Sequence, residues 1–125
     1  MDTRSKIVSL ETALGAAADR DTAVVVGYFD PLQLDHARRI AEIRASHECV
    51  IVALEDPPSP VLDARSRAQL SAAMDLIDYV VLPQECASSA GFERISHHTV
   101  YREEAADEAR FQRLIDRTHR RQSAS

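Results

Sequence analysis

Hydrophobic and polar positions along the chain alternate between two periods. In "SLETALGAAADR", Leu10, Ala13, Leu14 and Ala17 fall at i, i+3, i+4 and i+7, the spacing of one helical face, and Ser9 stands where an N-cap belongs. "AVVVGY" is a short apolar run ended by Gly27, which suits a strand buried on both faces. "DHARRIAEIRASH" returns to the helical period, with Ala37, Ile40 and Ala41 on one side and charges on the other. "CVIVAL" reads as a second buried strand. The three prolines of "EDPPSP" exclude both helix and central strand there. "DARSRAQLSAAMDLI" predicts a helix capped by Asp63 with Leu70, Ala73, Met74 and Ile77 inward. "DYVVL" predicts a third strand, "PQECASSAGFERIS" reads as turns, and "HTVYR" predicts a fourth strand. A last helix is predicted from Glu103 to about Arg121, with glutamates at its start and arginines at its end, as the helix dipole favours. Phe111, Leu114, Ile115 and Thr118 form its inner stripe, and the run "YREEAADEAR" reads as a solvated face with local Glu–Arg pairs. Residues 116–125 read as a partly frayed tail.

Strand and helix alternating in short succession imply parallel strands joined by right-handed crossovers, with helices on both faces. The expected fold is a Rossmann-like three-layer α/β sandwich with a parallel sheet of about four to five strands. Its 125 residues suit a single domain. Such sheets bind ligands beyond the carboxyl ends of their strands, where the strand order reverses.

Composition narrows the partners. Apolar residues make up 45% and charged residues 28%, as in ordinary soluble domains, and the net charge is −5. That balance argues against nucleic acid, whose phosphates need a basic surface. No segment approaches the roughly 18 apolar residues of a membrane helix, and no signal-peptide pattern opens the chain. The expected location is the cytoplasm. Cys49 lies in a strand and reads as a small core residue; with Cys86 it forms no metal-type spacing.

The stretch "GYFDPLQLDH" carries the candidate chemistry. Gly27 allows a turn or the close approach of a ligand, and Asp30-Pro31 favours a turn. A helix beginning near Leu34 or Asp35 would point its first amides outward as a phosphate seat. His36, in its first turn, could donate to a phosphoryl oxygen, with Arg38 or Arg39 facing the same mouth. His97 and His98 suggest a metal shared with His36, but adjacent residues on a strand point in opposed directions. No metal site is expected. His47 and His119 read as surface residues.

"VVVGYFDPLQLDHARRIAEI" resembles the signature of the nucleotidyltransferase superfamily, an apolar strand followed by G-x-F-D-x-x-H-x-G-H and a helix. The likeness spans roughly residues 6 to 86 and extends through "ARSRAQLSAAMDLIDYVVLPQE". It is nearest to the adenylyltransferase domain that makes ADP-heptose. The resemblance implies transfer of AMP or CMP from ATP or CTP to a sugar phosphate or similar small phosphate, with Mg2+ assisting. His36 and Gln33 would then be catalytic. Gly27, Tyr28, Phe29, Asp30, Asp35 and Arg67 would bind the nucleotide, and Asp56 falls near the family's acidic residue after the second strand. Homodimers are common in that family.

The motif departs from the pattern at two positions. Gln33 stands for the first histidine and cannot carry positive charge. Asp35 stands for the glycine; it adds negative charge and offers an alternative cap for the helix. The family's lysine-glycine segment is missing, since Lys6 is the only lysine. Its paired hydroxyls at the start of the last helix are replaced by Ala109, Arg110 and Phe111, or on another alignment by Ser96 and Thr99. Two readings follow: a reduced nucleotidyltransferase, or a catalytically silent nucleotide-binding, dimerisation or scaffold domain of the same fold.

Overall fold

A computed structural model describes residues 2–86, 93–95 and 98–123. Ser96 and His97 lie outside the described residues. After a 3-10 turn at Thr3–Lys6 the elements are α1 (Leu10–Ala16), β1 (Thr22–Gly27), α2 (Leu34–Arg44), β2 (Cys49–Leu54), α3 (Ala64–Ala72), β3 (Tyr79–Val81), a single helical turn α4 (Pro83–Cys86), β4 (Thr99–Arg102) and α5 (Glu104–Ser123). The four strands form one all-parallel sheet in the order β3-β2-β1-β4. Helices flank it, so the fold is a Rossmann-like α/β sandwich. No described helix is long and apolar enough to cross a membrane.

Alternation along each strand divides the core. Ala23, Val25, Val50, Val52 and Leu54 pack on one face with Phe29, Ile40, Ile43, Ala68 and Ala72. Val24, Val26, Cys49, Ile51 and Ala53 pack on the other with Leu10, Ala13, Ala17 and Ile95. Every residue of β1 and β2 is buried, which is why both read as unbroken apolar runs. Burial raises the pKa of the Cys49 thiol, with Asp78 adding to the shift, so this cysteine is a core residue of low reactivity. Ile7 makes a parallel bridge to Val80, a short extension of the β3 edge that the pattern did not predict.

Two caps form as expected: Ser9 accepts from the Thr12 amide, and Asp63 from the Ser66 amide at 2.7 Å. Three expectations need correction. The inner face of α3 is Arg67, Ala68, Ser71 and Ala72, and Leu70 is 44% exposed. Ile77 and Met74, just past the helix, do pack into the core as expected, but Leu70 and Ala73 face outward because an arginine occupies the helix's inner stripe. His47 is no surface residue: its ring bridges Asp21 at 2.9 Å and the Tyr101 hydroxyl at 2.8 Å, with its side chain 8% exposed. The last helix agrees with its expected span, Glu103 to about Arg121: it runs from Glu104 to Ser123, supported by a Gln112–Asp116 hydrogen bond and by Arg120 and Arg121 in the last turn. In the run from Tyr101 to Arg110 the expected local pairs form, Arg102–Glu104 at 3.2 Å and Arg110–Glu103 at 3.7 Å, but one side of it is not solvated: Glu103, Asp107 and Arg110 are buried.

Candidate functional site at the exit of β1

In the order β3-β2-β1-β4 the chain direction of assembly reverses at β1, so the crevice beyond β1 and β4 is the expected ligand position. Register brings Gly27 level with Leu54, and Val26 level with Arg102. The segments after β1, β2 and β4 therefore meet at one end of the sheet. The Glu55 amide donates to the Gly27 carbonyl and the Glu103 amide to the Val26 carbonyl, which draws both neighbouring segments toward β1.

Phe29 leaves β1 with a φ of 48°, a left-handed conformation that a bulky side chain seldom adopts. Beyond this turn the Tyr28 and Phe29 amides converge on one atom, Oδ2 of Asp107, at 2.8 and 3.3 Å. The other carboxylate oxygen, Oδ1, receives Nη1 of Arg110 at 2.7 Å and lies 2.8 Å from Nε2 of His36. The histidine contact is close but poorly aligned, and Nε2 has no well-formed hydrogen bond among the described residues. Both side chains are 3% exposed. Burial pushes the Asp107 carboxyl upward, but His36 and the Tyr28 and Phe29 amides outweigh it and hold the pKa below the usual carboxylate value.

Gly27 completes the arrangement. A Cβ there would lie 2.6 Å from Asp107 Oδ2 and 3.1 Å from the Phe29 ring. Gly27 does permit a close approach, and the approaching group is the chain's own carboxylate. Two amides, an imidazole and a guanidinium make an anion seat of the kind backbone amides and basic side chains form together, and Asp107 occupies it.

The remaining candidate residues have defined places. Gln33 is the N-cap of α2, and its backbone N–H donates to Nδ1 of His36 at 3.0 Å. Asp35 therefore does not cap the helix. It lies in the first turn, 3.8 Å from Arg38 and 3.6 Å from Arg113. The Phe29 ring leans against His36 with centroids 5.0 Å apart. Asp30 accepts from the Val61 and Leu62 amides at 2.6 and 2.8 Å, tying the β1 exit to the loop before α3. Arg67 is 1% exposed; it donates to the Leu62, Tyr28 and Glu55 carbonyls and pairs with Asp56 at 2.6 Å. It joins three loops at the end of the sheet, and no face of its guanidinium opens to solvent. Arg39 turns to Glu103 at 3.1 Å, and Arg110 reaches the same carboxylate at 3.7 Å.

Asp107, Arg110 and Glu103 escaped the sequence reading, yet a signal was present. They lie 7, 4 and 11 residues before Leu114, so the apolar stripe of α5 continued backward passes through all three. A glycine that needs a close approach pointed to the same spot.

Beside the seat is a cavity of about 200 Å3, with Tyr28, Pro57, Pro58 and Phe111 among its walls and Asp30, Asp107 and Glu108 facing it. Among the described residues no group of three or more His, Cys, Asp or Glu is arranged to hold a metal ion. No protein-family model and no curated protein matches this chain.

Proposed function

We propose that this chain is a catalytically silent dimerisation or scaffold domain of nucleotidyltransferase-like architecture, its nucleotide seat closed, working by assembly and neither binding nor turning over ATP or CTP. The observation that carries the reading is Asp107 seated on the Tyr28 and Phe29 amides between His36 and Arg110. A triphosphate brought to the β1 exit would have to displace a carboxylate held by four groups. If it bound alongside, it would face a like charge costing on the order of 1 kcal/mol or more. Gln33 and Asp35 weigh the same way, the first by lacking positive charge and the second by adding negative charge.

The active alternative would transfer AMP or CMP to a small phosphate such as a sugar phosphate, with magnesium arriving on the triphosphate. The one observation in its favour is His36 Nε2, buried at the seat without an aligned partner. Calorimetric titration with ATP and then CTP, each with magnesium, separates the two. On the silent reading no heat develops at millimolar nucleotide and no pyrophosphate is released with any sugar phosphate offered. Micromolar binding, roughly −8 kcal/mol, or any turnover overturns it. Adding Gln33→His and Asp35→Gly to Asp107→Asn is expected to restore nucleotide binding in the same titration.

A further inference from the structure

The cavity beside the seat has a chemistry of its own. Its walls are apolar and aromatic, supplied by Tyr28, Phe111 and the Pro57–Pro58 pair, and no lysine, arginine or histidine is among its lining residues as described. Three carboxylates face it, and they differ in how they are neutralised. Asp107 is paired with Arg110. Asp30 is held by two backbone amides and has no cationic partner among the described residues. Glu108 has no ion pair among them either, and it is exposed at the rim. Two negative charges are therefore left uncompensated around an aromatic hollow. The nearby cations are committed elsewhere, Arg67 to Asp56 and Arg110 to Asp107.

We propose that this cavity binds a small organic cation, an ammonium or guanidinium group carried on an apolar body. The apolar body packs between Tyr28, Phe111 and the prolines, and the charged head lies toward Glu108 and Asp30. Aromatic faces attract a cation through their quadrupole, and carboxylates left without a counter-ion supply the rest. Tyr28 reports the same field. Burial first, then Glu108, Glu104, Glu55 and Asp107, push its phenol above the ordinary value. An anion of equal size meets those charges as repulsion, and a neutral analogue fills the walls without using them. The inference stands on this cavity alone and does not require the silent reading of the neighbouring seat.

The test is a titration of the whole chain followed by NMR, with benzylamine and agmatine as probes and benzyl alcohol and benzoate as matched controls. Both amines are expected to produce saturable shifts at the Tyr28, Glu108 and Phe111 amides. Benzyl alcohol should bind roughly five-fold more weakly and benzoate more weakly still. Glu108→Gln, an exposed change that leaves the core untouched, should weaken benzylamine about five-fold, and added salt should weaken it further. Phe111→Ala should weaken both amines to a similar degree, with circular dichroism confirming the fold. Equal binding of benzylamine and benzyl alcohol overturns the proposal. So does indifference to Glu108→Gln, or the lack of any saturable shift with millimolar amine. Nucleotide binding measured on the same sample would overturn only the silent reading, so the two failures are distinguishable.

Discussion

Asp30 and Asp107 perform the same local act in two different settings. Each carboxylate accepts hydrogen bonds from a pair of consecutive backbone amides, Val61 and Leu62 for Asp30, Tyr28 and Phe29 for Asp107. Asp30 does so at a partly exposed loop with no cation beside it among the described residues. Asp107 does so in the interior, where Arg110 and His36 face its second oxygen. An exposed carboxylate that loses its amides regains water. A buried one leaves two amides, a guanidinium and an imidazole without their anion. The first residue shapes a loop, and the second holds together the exit of β1, the start of α2 and the start of α5.

The largest effect expected from this contrast belongs to Asp107→Ala. Breaking a buried charge network by removing one partner costs about 3–5 kcal/mol, read as a lower midpoint in urea denaturation. A loss no greater than that of Asp30→Ala would show that burial does not separate the two sites. Acid sharpens the comparison. Because the Asp107 carboxyl is held below its ordinary value, its contribution is fully present above the unfolded pKa of about 3.9 and is lost as pH falls through the folded value. Wild type should therefore lose stability more steeply than Asp107→Asn as the solution is acidified below about pH 4. Parallel curves would contradict a depressed native pKa.

Gly27→Ala comes next. Its new methyl meets a carboxylate oxygen that two backbone amides hold in place, and overpacking of this kind costs about 1–3 kcal/mol. In the Asp107→Ala background the same substitution should cost clearly less, since the oxygen at 2.6 Å has gone. Strict additivity in that double-mutant cycle would break the link between the two residues. Asp30→Ala should cost about 1 kcal/mol, because its amides can turn to water. Smallest is Arg113→Ala. Its pairing with Asp35 is 3.6 Å long and its side chain is 59% exposed, so a change below about 0.5 kcal/mol is expected. A larger loss would mark Asp35 as part of the buried network.

Legibility in the sequence followed the same divide. The strands and their buried faces were readable because nothing but apolar side chains fills them, from Thr22 to Gly27 and from Cys49 to Leu54 almost without interruption. Ser9 and Asp63 were readable as caps because capping is settled within three residues of chain. The candidate site was half readable. Gly27, Phe29 and His36 do meet at the exit of β1, and Arg67 lies at the same end of the sheet, joining Tyr28, Glu55, Leu62 and Asp56, contacts that no local pattern reveals.

Local pattern by itself determined the α/β alternation, the parallel sheet and the end of the sheet at which a site would form. Tertiary structure alone decided what sits there. A stripe of Glu103, Asp107 and Arg110 has the same periodicity on a solvated helix as on a buried one, and hydropathy assigns it to solvent. What reverses the assignment is the long-range meeting of a carboxylate with donors from elsewhere in the chain, the Tyr28 and Phe29 amides and the His36 ring, which lies 71 residues from Asp107. Charged side chains enter a protein interior only where partners already wait for them, and those partners come from other parts of the chain.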